Sequence, residues 1–268
     1  MAQLKEYALR FGEQQRLLGI LTMPAQHRAE LPTIIIPNTG IEHRVGPNRL
    51  HVQLARALAA AGFATLRFDL GGLGDSDPSP GRAADSSQDL RDAANMLLAR
   101  SLGPRFVMIG LCSGAHDVHQ FSKNSALVMG ALFIDGYTFP TSRFKRRRFF
   151  QRLMRLHWKA AEQLPEFFGN ANHPMPELLP AFFSEPKQSE VAADFTAMLA
   201  RGTHLAFLFT GDVESEYNYA EQHFDAFPML KNRAEVWYQP ATDHTLTRRK
   251  SREGLIRLIR DWVARLKT

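Results

Sequence analysis

Short apolar runs that end in turn residues alternate along the chain with longer segments that carry apolar residues at helical spacing. The clearest run, 33–37 (TIIIP), is rich in β-branched residues and has no polar alternation, which is typical of a strand covered on both faces of a sheet. The next segment, 48–61, has helical spacing and stops at Gly62, a good residue for ending a helix. Similar alternation continues to the end of the chain, with strand-like runs at 64–70, 106–109, 126–134, 205–209 and 235–238. Alternation at this spacing predicts right-handed crossovers and a mostly parallel central sheet flanked by helices, an α/β fold.

The alternation lapses in one place, which predicts an insertion. From 137 to 188 the sequence becomes basic, aromatic and rich in proline. We therefore predict one α/β core made of residues 1–136 and 189–268, with residues 137–188 inserted as a mostly helical cap whose apolar residues face the pocket. At the amino end, two strand-like runs at 7–11 and 16–22 flank the turn GEQQ and predict an opening hairpin.

Positive charge is concentrated at the start of the predicted cap. The formal net charge is +6, and much of the excess lies between 143 and 159, where basic residues are interleaved with aromatic and aliphatic ones. The simplest interpretation is an amphipathic surface helix with a solvated basic face. The alternative is a docking surface for an acidic partner. The basic residues are Arg143, Lys145, Arg146, Arg147, Arg148, Arg152, Arg155 and Lys159.

The composition excludes several kinds of site and indicates where the protein is located. The 268 residues include one cysteine, so neither an intramolecular disulfide nor a zinc–cysteine cluster is available. No run of eighteen apolar residues occurs, and the first residues lack the pattern of a secretory signal, so we expect a cytoplasmic protein with no membrane span. We predict no nucleic-acid partner.

Two clusters that could suggest a cofactor or a metal do not fit one. In GGLGDS the glycines have the wrong offsets for a dinucleotide fingerprint, so this segment predicts a structural turn. His116, Asp117 and His119 occupy neighbouring helix positions that point in different directions, so a shared ion is not expected. The prediction is therefore no cofactor and no metal.

The most informative segment is 106–115 (FVMIGLCSGA), an apolar strand that leads through a tight turn into a helix. A nucleophile between a strand and a helix is held in a strained turn, so small residues are needed two positions before and after it. Gly110 and Gly114 stand at those offsets from Cys112. At a helix N-terminus the partial positive charge also favours a thiolate. The spacing predicts that Cys112 is a nucleophile rather than a small buried apolar residue.

The neighbouring hydroxyl fits this position less well. If Ser113 were the nucleophile, the flanking residues would be Leu111 and Ala115, and Leu111 would crowd the turn.

These segments together resemble the α/β-hydrolase family, and in particular its branch with a cysteine in place of the usual serine, as in dienelactone hydrolases and some acyltransferases. The resemblance rests on GLCSG and on RFDLGGLGDS at 67–76, which is similar to the family's turn after its fourth strand. The stretch from HRVGPNRL through GLCSGA also resembles small hydrolases found beside exopolysaccharide and exosortase gene sets.

The resemblance implies a catalytic triad in the order nucleophile, acid, histidine. His244, in the loop before the last helix, is then the general base. The acid should follow the seventh strand, where the sequence offers Asp212 and Glu214 in GDVE. The common family spacing favours Glu214, and Asp212 is the competitor, with turn capping as its structural alternative.

The resemblance also implies an oxyanion hole. One donor should be the backbone N–H of Ser113, the residue after the nucleophile. The second should come from the turn after TIIIP, which reads Asn38-Thr39-Gly40 where the family usually has His-Gly. Either Thr39 or Gly40 could supply it, or Gly40 could simply end the strand.

These residues predict an acyl hydrolase that acts on an ester or thioester through a covalent acyl intermediate on Cys112. The alternative is an acyltransferase that moves acyl groups to or from a carrier-protein thiol or an amine, with an acidic acyl-carrier protein docked on the basic cap. A non-catalytic ligand-binding protein with this fold is a third hypothesis.

Overall fold

The computed structural model describes residues 4–79, 85–150 and 186–266. Within these ranges eight strands form one sheet in the order β1-β2-β4-β3-β5-β6-β7-β8. Strand β2 is antiparallel to both β1 and β4, and all the other neighbours are parallel. The strands are β1 Lys5–Phe11, β2 Leu17–Met23, β3 Thr33–Pro37, β4 Thr65–Phe68, β5 Phe106–Leu111, β6 Val128–Ile134, β7 His204–Thr210 and β8 Ala234–Gln239.

Helices cover both faces of the sheet, which explains why the central strands lack polar alternation. Every residue of β3, β5 and β6 is buried. Successive residues of β5 point to opposite faces: Phe106 and Met108 pack on one side, Val107 and Ile109 on the other. The helices are α1 Leu50–Ala60, α2 Ser86–Ala99, α3 Ser113–Ser122, α4 at 142–150, α5 Gln188–Ala200, α6 Gln222–Ala226 and α7 Arg249–Arg265.

Two apolar cores result from this layering. Helices α2, α3 and α5 contribute buried residues to one core, and α1 and α7 contribute to the other. In the α7 layer, Leu255, Ile259 and Trp262 are almost fully buried, at helical spacing along one face of the helix. The predicted fold class is confirmed.

One predicted helix is much shorter than expected. The sequence also predicts a helix near 217–227, but only Gln222–Ala226 is helical. Tyr217 instead stacks on Phe209 at 3.9 Å between ring centroids, and it is buried together with Asn218 and Tyr219. The Asn218 N–H donates to the Gln222 side chain at 2.9 Å, and this bond fixes the start of the helix.

Most of the predicted cap lies outside the described residues. Residues 137–150 and 186–188 of that segment are described, and 142–150 are helical. Here Phe144 is buried while the basic residues around it are exposed. Among the described helices, none combines the length and the apolar character needed to cross a membrane.

Candidate active site

Cys112 lies in the sharp turn between β5 and α3 and has the backbone conformation of a nucleophile elbow. Its φ is +55° and its ψ is −121°, a strained combination for a side chain other than glycine. A methyl group on Gly110 would collide with the Gly114 carbonyl oxygen, and one on Gly114 would lie 2.9 Å from the Asn38 carbonyl oxygen. The two glycines therefore allow the close approach that the turn needs, and Cys112 is the residue they present.

The ring of His244 reaches this turn from the loop after β8. His244 interacts through a side-chain hydrogen bond with the Cys112 thiol. Its other ring nitrogen, Nδ1, lies 2.7 Å from Oδ2 of Asp135. Asp135 directly follows Ile134, the last residue of β6. The Cys112 N–H donates to the Ile134 carbonyl at 2.9 Å. The ends of β5, β6 and β8 thus bring a thiol, an imidazole and a carboxylate into one row.

The buried carboxylate of Asp135 accepts several hydrogen bonds. Its side chain is 1% exposed, and its φ of +48° is unusual for a non-glycine residue. Besides the His244 ring, it accepts the Thr210 N–H at 2.7 Å and the Thr210 hydroxyl at 2.8 Å. Three hydrogen bonds therefore fix the carboxylate in its buried position.

The structure therefore corrects the predicted position of the acid. Glu214, which we favoured from spacing, is exposed and follows the short turn at the end of β7. Asp212 does contact His244, but it accepts the backbone N–H at 2.7 Å rather than a ring proton. Asp212 thus holds the histidine loop, and Asp135 is the carboxylate on Nδ1. The error arose because β6 and β7 are adjacent parallel strands that end at the same edge, so spacing along the chain does not choose between them.

The electrostatics of the row favour an ion pair. The hydrogen bond from His244 lowers the pKa of the Cys112 thiol, and the nearby positive charge and the Ser113 N–H act in the same direction, against burial and Asp135. The hydrogen bond to Asp135 raises the pKa of His244 to about 10, with a further contribution from Cys112. Both shifts favour a Cys112 thiolate beside a His244 imidazolium.

The turn after β3 meets the first residue of α3. The Gly40 N–H donates to the Ser113 hydroxyl oxygen at 2.6 Å, so of the two candidates in this turn Gly40 has the N–H that faces the start of α3. The other candidate, Thr39, is buried, and its carbonyl accepts the Glu42 N–H at 2.8 Å. The Ser113 N–H approaches the Cys112 thiol. Two of the three predicted oxyanion residues, Ser113 and Gly40, are therefore in direct contact.

Asn38 holds this turn in place and was not singled out from the sequence. Its side-chain amide donates to the carbonyls of Gly40 and Glu42 at 3.0 and 3.1 Å, and its oxygen accepts the Leu70 N–H at 3.0 Å. It is 1% exposed. An amide is suited to this position because it offers donors and an acceptor together.

The helix residues that superficially suggested a metal have separate partners. His116 pairs with the Tyr137 hydroxyl, Asp117 with Ser86, and His119 lies 3.3 Å from Asp194. The three side chains therefore do not converge.

In the described ranges one other histidine–carboxylate group does converge, formed by His43, Asp69 and Asp75. It belongs to the loops around the GGLGDS turn, and the Arg44 guanidinium already bridges both carboxylates, at 2.8 Å from Asp75. The Arg44 ion pairs therefore link the loops that carry Asp69 and Asp75.

Comparison with known proteins supports the fold and the family. Residues 43–264 match the family model described as the alpha/beta hydrolase family, so the chain belongs to that family, and the prediction of a hydrolase is confirmed. No curated protein matches the sequence.

Solved structures with the same fold include esterases. The esterase domain of a Rhodothermus marinus protein aligns with a TM-score of 0.61 at 17% identity, covering 98% of this chain and 99% of that one. An esterase from Pyrococcus furiosus aligns with a TM-score of 0.59 at 16% identity over 99% and 93%. A serine hydrolase without a lid from Xanthomonas campestris aligns with a TM-score of 0.54 at 14% identity over 98% and 96%. At these sequence identities the similarity establishes the fold. Membership of the branch with a cysteine in place of the usual serine remains a prediction.

Proposed function

We propose that this hydrolase cleaves small esters or thioesters through a covalent acyl intermediate on Cys112. The observation that supports this most directly is the His244 ring, which hydrogen-bonds to the Cys112 thiol and, through Nδ1, to Asp135. A nucleophile, a base and a carboxylate that orients the base are the parts that acyl transfer requires.

In the first half of the reaction the Cys112 thiolate attacks the substrate carbonyl carbon. The carbonyl oxygen becomes an oxyanion and accepts hydrogen bonds at the N-terminus of α3, where the Ser113 N–H is available. As the intermediate collapses, the bond to the leaving alcohol or thiol breaks, and the His244 imidazolium gives its proton to that group. The products are the first alcohol or thiol and an acyl thioester on Cys112, with His244 neutral.

In the second half neutral His244 removes a proton from water. The resulting hydroxide attacks the thioester carbonyl, the carbon–sulfur bond breaks, and the carboxylic acid leaves. The Cys112 thiolate and the His244 imidazolium are restored. Asp135 stabilises the imidazolium at both stages because its carboxylate stays on Nδ1.

Transfer to an acceptor other than water is the second candidate, and the sulfur nucleophile favours it. A thioester intermediate exchanges readily with thiols and amines, so the second half-reaction can deliver the acyl group to a carrier. The basic stretch gives limited support to carrier docking. Arg143 lies 3.5 Å from Glu221, and Arg148 donates to the Ser215 carbonyl at 3.0 Å, so part of this charge is engaged locally.

The test is transient hydrolysis of p-nitrophenyl acetate. The proposal predicts a burst of one nitrophenolate per active site, followed by slower turnover that depends on Cys112 and His244. Added amines or thiols raise the steady rate and collect the acetyl group if transfer competes with water. Binding of the ester with neither burst nor turnover would contradict the proposal and favour a ligand-binding protein.

A further inference from the structure

The hydroxyl of Ser113 contacts the turn that follows β3. Its oxygen accepts the Gly40 N–H at 2.6 Å, while the N–H of the same residue lies beside the Cys112 thiol. Both Ser113 and Cys112 are partly exposed. Within the described part of the chain, no hydrogen bond from the Ser113 hydroxyl hydrogen to an acceptor is found, so that hydrogen is available to a bound substrate.

This geometry changes the expected role of Gly40. The sequence predicts that the N–H of either Thr39 or Gly40 binds the oxyanion directly, yet the Gly40 N–H already donates to Ser113. We propose that the Ser113 hydroxyl is itself an oxyanion donor, accepting from the Gly40 N–H and donating its own hydrogen to the substrate oxygen. The inference rests on the proposed acyl chemistry at Cys112.

The two hydrogen bonds, from the Gly40 N–H to the Ser113 hydroxyl and from that hydroxyl to the substrate oxygen, form a relay. Elementary hydrogen-bond physics supports it. A hydroxyl that accepts a hydrogen bond becomes a better donor, because the bonds polarise one another. A bond to a developing oxyanion is charge-assisted and roughly twice as strong as a neutral one. The relay strengthens as negative charge appears on the substrate, which is the condition for lowering the barrier rather than only tightening binding.

The relay is also held rigidly. Asn38 fixes the Gly40 turn through the Gly40 and Glu42 carbonyls, and Ser113 is the first residue of α3. The accepting side of the hydroxyl is therefore set by the scaffold, and only its hydrogen remains free to follow the substrate. This preorganisation reduces the reorganisation needed when the oxyanion forms.

A competing arrangement makes the opposite prediction. In this arrangement the Ser113 oxygen fills the oxyanion position in the resting enzyme. The side chain must then rotate away before the substrate binds. In that case the hydroxyl blocks the reaction, and removing it raises the acylation rate.

The experiment compares two reactions of the same thiol in Ser113→Ala and Ser113→Thr. Acylation by p-nitrophenyl acetate, measured as the single-turnover burst, passes through an oxyanion. Alkylation by iodoacetamide does not. Ser122→Ala deletes another hydroxyl from the last residue of the same helix and is the matched control.

We expect Ser113→Ala to slow acylation on the order of 10- to 10²-fold, less than the loss of an unreplaced donor because the freed Gly40 N–H compensates in part. Its alkylation rate should equal that of the wild type. Ser113→Thr should recover most of the acylation rate, and Ser122→Ala should acylate normally.

Three results would overturn the inference. Acylation of Ser113→Ala at the wild-type rate makes the hydroxyl a bystander, and faster acylation makes it a blocker. Equal losses in acylation and alkylation indicate a disturbed thiol instead of a lost oxyanion donor. The proposed function fails separately, if the wild-type protein alkylates at Cys112 but gives no acylation burst.

Discussion

Replacement of Asp135 by asparagine tests whether this carboxylate is the acid of the proposed triad. The substitution keeps the shape of the side chain but removes its charge. The carboxylate accepts three hydrogen bonds, two from Thr210 and one from the His244 ring. An amide has one acceptor oxygen and an NH₂ group, so at least one of these donors would face another donor.

The size of the effect follows from the lost bond to His244. A hydrogen bond to a charged group contributes about 1.5–3 kcal/mol, and one pKa unit corresponds to about 1.36 kcal/mol. A loss of this size corresponds to roughly 10- to 10²-fold in rate. It also lowers the pKa of His244, which weakens the stabilisation of the thiolate by the imidazolium. Misorientation of the ring adds to this, so we expect kcat/KM to fall on the order of 10²-fold or more, within the ~10⁴-fold known for the same change in serine triads.

The assay is steady-state hydrolysis of p-nitrophenyl acetate by Asp135→Asn beside Glu214→Gln and Asp212→Asn. Glu214→Gln should keep near wild-type kcat/KM. Asp212→Asn should lose little, because its amide oxygen can still accept the His244 backbone N–H. A larger loss in Glu214→Gln than in Asp135→Asn would refute the corrected assignment.

Further predictions address the ion pair, the elbow and the basic stretch. The lowered thiol pKa means that iodoacetamide should alkylate Cys112 with a pH midpoint below the ~8.5 of a free cysteine, and His244→Ala should move that midpoint upward; a wild-type midpoint at or above ~8.5 would contradict the ion pair. Gly110→Ala should lower the free energy of unfolding by about 3 kcal/mol or more in a urea titration because its methyl group meets backbone, whereas Gly254→Ala, in the open part of α7, should raise it by about 0.5–1 kcal/mol. Similar effects of both glycine changes would refute the close-approach argument. If an acidic carrier docks on α4, Arg146→Glu should raise KM for carrier-bound acyl groups but not for small esters, with the difference shrinking at high salt. No loss on either substrate would support a solvated face instead, and equal losses on both would indicate a disturbed fold.

The sequence predicted the parts of the site whose chemistry is local. At Cys112 the strand, the two glycines and the helix are contiguous in the chain, and the same residues make the turn in the structure. The alternation of strands and helices could be predicted for the same reason, because the apolar pattern of each segment depends on how that segment itself is buried. These features account for the fold class.

Other features depended on contacts between distant segments, and sequence reasoning missed them. Asp135 follows β6 in the sequence FIDGY, and an acid directly after a buried strand was a usable signal. Two neighbouring strands each carried such an acid, however, and only the position of the His244 ring distinguishes them. The same holds for Asn38, which accepts the Leu70 N–H, and for Thr210, which donates to Asp135.

The central claim is that an acyl group is carried on Cys112, and intact-mass analysis after brief incubation with p-nitrophenyl acetate tests it most directly. The wild-type protein should gain the mass of one acetyl group, located by peptide mapping at Cys112 and removed by hydroxylamine. Cys112→Ala should show no gain. A single acetyl adduct that persists in Cys112→Ala, or that maps to Ser113 in the wild type, would contradict the account.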